Sequence, residues 1–303
     1  DGRIERDPDG TPQGTLHEGA TRLVVNRIPP PSLADRLAAL LAGQAYLHSM
    51  GVTGWQDAIV GDYLGWLDPL DVYLAAARSG ELTGRAVGAL WWDRDRGAEQ
   101  LDDLLAKRER AGGAAGIGRF RATSVKIMQD GVVENFTAAM IDPYLDGHAG
   151  ASGNHGLSYV DPAALREHVT ALDAAGFQVH FHAIGDRAIR ESLDAVAAAR
   201  AANGRADTRP HLAHLQVVHP ADLARFAELG VTATMQALWA AHEPQLDDLT
   251  IPFLGPQRSE WQYPFGSLHG TGAHLAAGSD WPVSTANPLH ALQVAVTRQP
   301  PPE

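Results

Sequence analysis

The chain has 303 residues, of which 45% are hydrophobic, so it is long enough to bury one large core or two smaller ones. Its formal net charge of −12 argues against nucleic acid or an anionic membrane as a partner, because those surfaces bind clustered Lys and Arg. The absence of cysteine excludes disulfides, thiolate metal ligands and cysteine nucleophiles, and it fits the cytoplasm, the location we expect. No apolar run is long enough to span a membrane.

The N-terminal part predicts a loop followed by a helix. Residues 1–32 are polar, with scattered Gly and Pro, and they predict an extended loop or excursion in which segment 22–28 is a strand candidate. Ser32 then caps a helix that runs to about Met50. Apolar residues recur along one side of this helix: Leu33, Leu37, Leu40, Leu41 and Leu47.

Beyond residue 50, strand-like and helix-like runs alternate. The pattern predicts strands at 51–57, 85–92, 123–129, 177–182, 211–216, 231–238 and 274–278. It predicts helices at roughly 68–79, 97–111, 161–175, 186–202, 220–229, 266–272 and 287–298. Longer excursions at about 131–160 and 240–265 follow strands, where barrel enzymes carry their substrate loops.

This alternation predicts an α/β protein with a TIM-type (β/α)8 barrel. Seven of the eight strands are recognisable, and a helix without a preceding strand comes before the first of them. In an eight-fold barrel that helix follows strand one, so we expect the first strand to be missing from this chain or hidden in residues 1–32. A doubly wound open sheet is the alternative, because length and alternation suit both folds.

Four short segments each place a candidate metal ligand at the end of an apolar run and ahead of a helix-like stretch. The candidates are Lys126, His182, His214 and Asp280. Helix-separated strand ends that carry such groups are how a barrel assembles a catalytic metal centre. In a chain without cysteine, a metal site must use His, Asp, Glu or a modified Lys.

The segment His180-Phe-His182-Ala-Ile-Gly-Asp186 is the strongest local motif. On a strand, His180 and His182 point to the same face, so both can enter a barrel interior. Asp186 starts the following helix, where it can cap that helix or orient an imidazole. A single strand histidine is more often a satisfied core residue, but two at the end of a barrel strand favour a functional site.

Lys126 lies inside an apolar strand, where an unpaired ammonium group is costly. Its amine must therefore be paired, lowered in pKa or chemically altered. A neutral lysine can take up carbon dioxide to give a carbamate that offers two oxygens to metal ions. The alternative is a structural ion pair with Asp130 or Glu134, and the sequence leaves both open.

The two remaining candidates also have plain structural alternatives. His214 ends its run and is expected to point inward, while His211, three residues earlier, is expected on the opposite face of the strand. Asp280 follows a short apolar strand, so its carboxylate can bind a metal and move a proton between water and leaving group. Taken alone, however, a Ser-Asp-x-Pro segment is also typical of a helix N-cap.

At these residues the chain resembles the amidohydrolase superfamily, in particular its YtcJ-like metal-dependent hydrolases of the amidohydrolase 3 type. The resemblance covers nearly the whole chain. It is carried by residues 125–135 (VKIMQDGVVEN), 177–189 (FQVHFHAIGDRAI), 211–219 (HLAHLQVVH), 232–239 (TATMQALW) and 277–288 (AGSDWPVSTANP).

The resemblance implies a barrel that holds one or two divalent ions, usually zinc. Lys126, often carboxylated in the family, corresponds to the strand-four ligand. His182 and His214 correspond to the ligands on strands five and six. Asp280 corresponds to the strand-eight aspartate, which binds metal and carries a proton.

The chain departs from the family pattern at its two ends. The family's first-strand His-x-His pair precedes everything present here, and His180-x-His182 carries the strand-five signature instead. The small β-sandwich of family members also has no counterpart in the sequence. We therefore expect residues 1–303 to be a single barrel domain that forms an internal piece of a longer hydrolase.

The predicted activity is metal-dependent hydrolysis of carbon–nitrogen bonds other than peptide bonds, of the amide, N-acyl or N-formyl type. The alternatives are a catalytically silent barrel fragment without a complete metal site, and an ester or lactone hydrolase. The expected partner is a small-molecule substrate, and the family suggests a homodimer. Trp239, Trp261 and Trp281 lie near the predicted mouth, where they favour an aromatic or apolar substituent, although Trp there is as often loop packing.

Overall fold

A computed structural model describes residues 2–147 and 150–301. Asp1, residues 148 and 149 of the predicted 131–160 excursion, and the C-terminal Pro302 and Glu303 lie outside the described residues. The chain divides into two compact units, Asp1–Trp91 with Leu105–Ala122 and Trp92–Leu104 with Thr123–Glu303. The prediction of one domain over residues 1–303 concerns both units together and stays a prediction. No helix in the described ranges is long and apolar enough to cross a membrane.

The secondary structure alternates along most of the chain. In order, the elements are β1 (Arg3–Arg6), β2 (Pro12–His17), α1 (Arg22–Val25), α2 (Leu33–Ser49), β3 (Gly54–Val60), α3 (Leu70–Ser79), β4 (Arg85–Trp91), α4 (Leu101–Arg110), β5 (Phe120–Met128), α5 (Pro162–Ala174), β6 (Gln178–Ala183), α6 (Asp186–Asn203), β7 (His211–His214), α7 (Leu223–Leu229), β8 (Thr232–Met235), α8 (Pro244–Leu249), α9 (Ile251–Ser259), α10 (Phe265–Gly270), β9 (His274–Ala277) and α11 (Pro288–Thr297). The seven predicted strands are present as β3 to β9.

The predicted cap of the first long helix is confirmed. Ser32 Oγ accepts the main-chain N–H of Asp35, and the Asp35 carboxylate accepts the N–H of Ser32 in return. This reciprocal capping box satisfies two N–H groups that would otherwise lack partners at the start of α2. The excursion at 240–265, in contrast, was predicted as a loop but contains α8 and α9.

The prediction of a loop over residues 1–32 is wrong in detail. Strands β1 and β2 form an antiparallel hairpin in which Arg3 pairs with His17. The turn between them is the Asp7-Pro-Asp-Gly10 segment, closed by the Gly10 N–H on the Asp7 carbonyl at 2.8 Å, and Pro-Asp-Gly is a strong turn signal. The strand candidate at 22–28 is also wrong, since α1 occupies its first part.

In the first unit, β3 and β4 pair in parallel from Gly54 opposite Arg85 to Val60 opposite Leu90. Helix α3 lies between them in the chain and buries Leu70, Val72 and Leu74. This unit thus contains one strand–helix–strand repeat, as expected for an α/β fold.

In the second unit, β5 to β9 pair in parallel in chain order. The register places Lys126 opposite His180 and His180 opposite His211. A doubly wound sheet would reverse its strand order partway, so the unbroken order excludes that alternative for this unit. Seven parallel strands, β3 to β9, alternate with helices along the chain, the arrangement of TIM-type barrels. The described residues contain no eighth parallel strand.

The two excursions of the second unit share a small core of their own. It contains Val133, Ala138, Met140, Tyr144, Ile184, Val217 and Leu254. Tyr144 Oη donates to the Ala138 carbonyl at 2.8 Å, which ties the first excursion together. Where β6 turns into α6, a Cβ at Gly185 would lie 2.1 Å from the Ala139 carbonyl oxygen, so only glycine fits. The excursion after β5 is thereby held against the end of β6.

Candidate metal centre

The four predicted ligands lie at the carboxyl ends of strands in the second unit. Lys126 and His182 come just before the ends of β5 and β6, and His214 is the last residue of β7. Asp280 follows β9 by three residues. Because neighbouring parallel strands end at the same edge of a sheet, their backbones bring these residues to the edge where barrel enzymes have their active sites.

Two side-chain contacts involve these ligands, and one of them is with His180. Lys126 Nζ lies 3.0 Å from His180 Nε2. The rings of His182 and His214 are in contact, with centroids 4.4 Å apart. Across the described residues, however, His, Asp and Glu side chains form no group of three or more that could hold a metal ion. Any site that includes three ligands must therefore use Lys126 or side-chain movement.

His211 lies with the other histidines, and its predicted place on the opposite strand face is wrong. Its ring stacks on that of His180 at 4.0 Å, and its Nδ1 lies 2.9 Å from Thr234 Oγ1. In a regular strand His211 and His214 would face opposite sides. His214 has a positive φ of 81°, which turns its side chain out of that alternation. His180, His182, His211 and His214 together form what we call the histidine cluster.

Asp130, predicted only as a possible ion-pair partner of Lys126, lies beside His182. Its carboxylate is fully buried and accepts the N–H groups of Ile184, Gly185 and Ala139 at 2.8–3.0 Å. His182 Nε2 lies 3.5 Å from Asp130 Oδ1 and 3.0 Å from the Gly131 carbonyl oxygen. The Gly131 carbonyl oxygen can only accept a hydrogen bond, so we assign the proton of His182 to Nε2, which leaves Nδ1 as its lone-pair nitrogen.

The imidazole-orienting role predicted for Asp186 belongs to Asp130 and Gly131 instead. Asp186 accepts the main-chain N–H of Ile141 at 2.8 Å and so anchors the excursion after β5. Gly185, not Asp186, holds the N-cap position of α6. Burial raises the pKa of Asp186, opposed by the Ile141 hydrogen bond.

Among the described residues, no carboxylate lies within ion-pair distance of the buried Lys126. The predicted alternative of an ion pair is wrong, because Asp130 is occupied by main-chain N–H groups and Glu134 accepts from Gln245 and Thr250. Burial lowers the pKa of Lys126 to about 8, and the negative charge of Asp280 opposes this shift. About one tenth of the amine is therefore neutral at pH 7, far more than for a lysine with the ordinary pKa.

The histidine cluster is uncharged at neutral pH. Burial lowers the pKa of His182 and of His211 to about 3, and the positive charge of Lys126 adds to the effect. Burial also holds the pKa of His180 and of His214 well below the usual value. A neutral imidazole is the form that binds a metal ion.

Three nitrogens of this cluster bear on whether its residues suit a metal ion. His180 Nδ1, His211 Nε2 and His214 Nδ1 are buried and have no hydrogen-bond partner in the described part of the chain. A buried polar atom without a partner is costly, and a bound ion can supply the missing interaction. Neutral imidazoles beside a lysine of lowered pKa are suitable donors for a divalent transition metal.

Asp280 does not cap a helix, so that alternative is wrong. Helix α11 begins at Pro288, and Asn287 caps it by accepting the Leu289 N–H at 3.0 Å. Asp280 instead has a positive φ of 53° in a turn closed by the Val283 N–H on its carbonyl at 2.8 Å. Burial raises the pKa of the Asp280 carboxyl, and the charge of Lys126 opposes the rise.

Among the three tryptophans expected near the mouth, Trp239 contacts the cluster. Trp239 stacks on His214 with ring centroids 5.2 Å apart and an interplanar angle of 3°. Trp281 follows Asp280 and is 41% exposed. Trp261 packs against the small core of the excursions and edge-on to His219, which makes it a loop-packing residue.

Comparison with known proteins places the chain in a family. The model of the amidohydrolase family matches residues 1–302. The chain therefore belongs to the amidohydrolase family, whose superfamily consists of metal-dependent enzymes.

Three curated relatives illustrate the range of the family. The chain is 34% identical over 308 residues to Protein LONG AFTER FAR-RED 3 of Arabidopsis thaliana, and the alignment covers 99% of this chain and 50% of the relative. It is 27% identical to the "Putative amidohydrolase YtcJ" of Bacillus subtilis (strain 168), in an alignment that covers 98% of this chain and 52% of the relative. It is 24% identical to the N-substituted formamide deformylase of Arthrobacter pascens, in an alignment that covers 98% of this chain and 53% of the relative. The chain spans about half the length of these relatives.

A solved structure shows the same fold. An uncharacterized metal-dependent hydrolase from Pyrococcus furiosus superposes with a TM-score of 0.72 at 23% identity. The superposition covers 92% of this chain and 53% of the solved chain. The predicted TIM-type α/β architecture, with seven strands recognisable, is confirmed.

Proposed function

We propose that this chain carries the metal-binding half-site of a hydrolase that cleaves carbon–nitrogen bonds other than peptide bonds. The observation that carries the proposal is the placement of Lys126, His182 and His214 near the ends of β5, β6 and β7, with Asp280 three residues after β9 in the same unit. The unpaired His214 Nδ1 and the lone-pair nitrogen assigned to His182 support a role as ligands. Zinc is the metal that we propose, because imidazole nitrogen is among its preferred ligands.

Each residue has a role in this proposal. When bound, a divalent ion supplies Lewis-acid polarisation of a carbonyl group and a more acidic water. His182 and His214 would hold the ion through neutral nitrogens, and Lys126 would hold it as an amine or, after taking up carbon dioxide, as a carbamate. Asp280 takes a proton from the attacking water and delivers it to the leaving nitrogen as the carbon–nitrogen bond breaks. Its raised pKa suits a group that must accept and then release a proton.

The names of two relatives support the bond type. One is called an amidohydrolase and another an N-substituted formamide deformylase. A small N-acyl or N-formyl amine is therefore the substrate class that we propose. Trp239, stacked on His214, is the aromatic residue best placed to contact its substituent.

A panel of N-formyl and N-acyl amines, each with its matched ester, tests the proposal on the chain with added zinc and after chelation. Zinc-dependent release of amine, faster than release of alcohol from the matched ester, is the expected result. Cleavage of esters alone would show that the proposed bond type is wrong and would favour the ester or lactone alternative.

A catalytically silent scaffold is the second candidate. It is favoured by the absence of any three-membered group of His, Asp and Glu ligands in the described residues. Zinc binding without turnover on either substrate class would support this candidate against the first.

A further inference from the structure

The backbone at His214 adopts a conformation that its own sequence does not favour. His214 and Leu215 have positive φ angles of 81° and 52° in succession. A residue with a Cβ adopts this left-handed region only at a steric cost, so neighbouring structure must hold it there. The conformation matters because it turns the His214 ring onto His182, with ring centroids 4.4 Å apart.

Gln236 makes the contact that holds this segment. It directly follows β8 and is 4% exposed. Its side-chain Oε1 accepts the main-chain N–H of His214 at 2.7 Å, a short hydrogen bond in a buried setting. The bond also fixes which end of the amide is oxygen, because an N–H group needs an acceptor opposite it.

The other end of the same amide lies against the segment that carries Asp280. A Cβ built on Gly278 would lie 2.9 Å from Gln236 Nε2, so the amide fills the space that the missing side chain leaves. The Gly278 N–H donates to the carbonyl of Met235, the residue before Gln236, at 2.9 Å. One buried side chain thus lies against both the His214 main chain and Gly278, two residues before Asp280.

We propose that Gln236 is a positioning residue that sets the His214 ring toward His182 and keeps it in register with the Asp280 segment. Its amide oxygen supplies the acceptor for the His214 N–H at the point where the pairing of β7 with β8 ends, one residue earlier at Ala213. The consequence for metal binding rests on the proposed function. The consequence for the His214 backbone does not.

Two substitutions at Gln236 separate the hydrogen bond from side-chain volume. Gln236→Leu removes the acceptor, whereas Gln236→Glu keeps an oxygen opposite the His214 N–H and, as a buried neutral carboxyl, also keeps a donor. A strong intraresidue amide-to-Hα nuclear Overhauser effect marks a positive φ. We expect this signal at His214 in the wild type and in Gln236→Glu, and its loss in Gln236→Leu.

Zinc titration by calorimetry gives the second readout. Loss of a group that orients a metal ligand typically weakens affinity about 10–100-fold. We expect a decrease of that size in Gln236→Leu and recovery to within about threefold of wild type in Gln236→Glu. Gln44→Leu is the matched control, because the oxygen of the buried Gln44 amide also accepts main-chain N–H groups, those of Thr83 and Gly84, but in the first unit. It should change neither readout.

Gly278→Ala tests the same contact from the other side. The new methyl group must displace the Gln236 amide, so both readouts should change in the same direction as in Gln236→Leu. Gly266→Ala is its control, since a Cβ at Gly266 meets nothing within 4 Å.

The outcomes distinguish this inference from the proposed function. An unchanged His214 signal in both Gln236→Leu and Gly278→Ala would overturn the positioning role, whatever the activity. A wild-type chain that binds no zinc would overturn the proposed metal site. In that case a lost His214 signal in Gln236→Leu would still support Gln236 as the residue that holds this backbone.

Discussion

Replacing Asp130 with asparagine removes one acceptor from a buried carboxylate that uses both of its oxygens. Oδ1 accepts the Ile184 N–H at 3.0 Å, and Oδ2 accepts those of Gly185 and Ala139 at 2.8 and 3.0 Å. An amide has a single acceptor oxygen, so at least one N–H must then face an NH₂ group. A buried N–H without a partner costs about 1–3 kcal/mol. We expect Asp130→Asn to lower the free energy of unfolding by about this amount.

Urea unfolding of the chain, followed by tryptophan fluorescence, measures this loss. Asp161→Asn is the matched control, because Asp161 also accepts two main-chain N–H groups, those of Ala163 and Ala164, but through Oδ1 alone and at the exposed start of α5. Asparagine keeps that oxygen and is an equally good N-cap, so the control should change stability by less than about 0.5 kcal/mol. Equal stability of Asp130→Asn and wild type would refute the inference that both carboxylate oxygens are needed.

The remaining predictions concern protons and catalysis. In metal-free protein, folding lowers the pKa of His182 and of His211 from the ordinary value of 6.5 to about 3. Their contribution to the free energy of unfolding is therefore fully present above pH 6.5 and decreases as the pH falls toward 3. At pH 5 this loss of unfolding free energy is about 2 kcal/mol for each imidazole. His211→Phe should therefore reduce the difference in unfolding free energy between pH 7.5 and pH 5 by about that amount. An unchanged difference would contradict the sign or the size of the pKa shift. Asp280→Asn should abolish amide turnover while the circular dichroism spectrum stays that of wild type, and retained turnover would refute its role as proton carrier. Lys126→Ala should lose activity that bicarbonate with a short-chain acid partly restores if a carbamate is the ligand, whereas no rescue would favour the free amine.

Local sequence signals predicted the parts of the fold that local physics determines. The Ser32 cap needed only a side-chain oxygen three residues from its partner, and the strands needed only apolar runs between helices. The hairpin at residues 3–17 was missed although the Pro-Asp-Gly signal was present, because its strands are polar and largely exposed and carry no apolar alternation. Helix α9 was missed because Gly255 and Pro256 interrupt it, and α8 because it has only six residues.

The candidate site was less accessible to sequence reasoning, because its decisive contacts join residues far apart in the chain. The motif around His182 identified a strand end, but the partners of its ring, Asp130 and Gly131, are about 50 residues away. His211 was assigned to the wrong face because strand alternation was assumed to continue through His214. The register of β6 with β7, which sets His211 opposite His180, is the signal that could have corrected this.

Gln236 shows a different limit of prediction from the sequence. A buried glutamine at the end of an apolar strand has no feature that separates a core residue from a positioning one. Its meaning depends on the unusual backbone of His214 and on the space beside Gly278, neither of which leaves a local pattern. Strained backbone conformations of this kind concentrate at functional sites, and they are found in structures rather than in sequences.

The most direct test of the proposed metal centre is the content of zinc, manganese and iron per chain, by elemental mass spectrometry on protein purified without added metal. We predict about one ion or more per wild-type chain, and near zero in His214→Ala and in His182→Ala. His48→Ala, which removes an exposed imidazole on α2, is the control and should keep the wild-type content. A wild-type chain without metal, or a content that the His182 and His214 substitutions leave unchanged, would contradict the assignment of these residues as ligands.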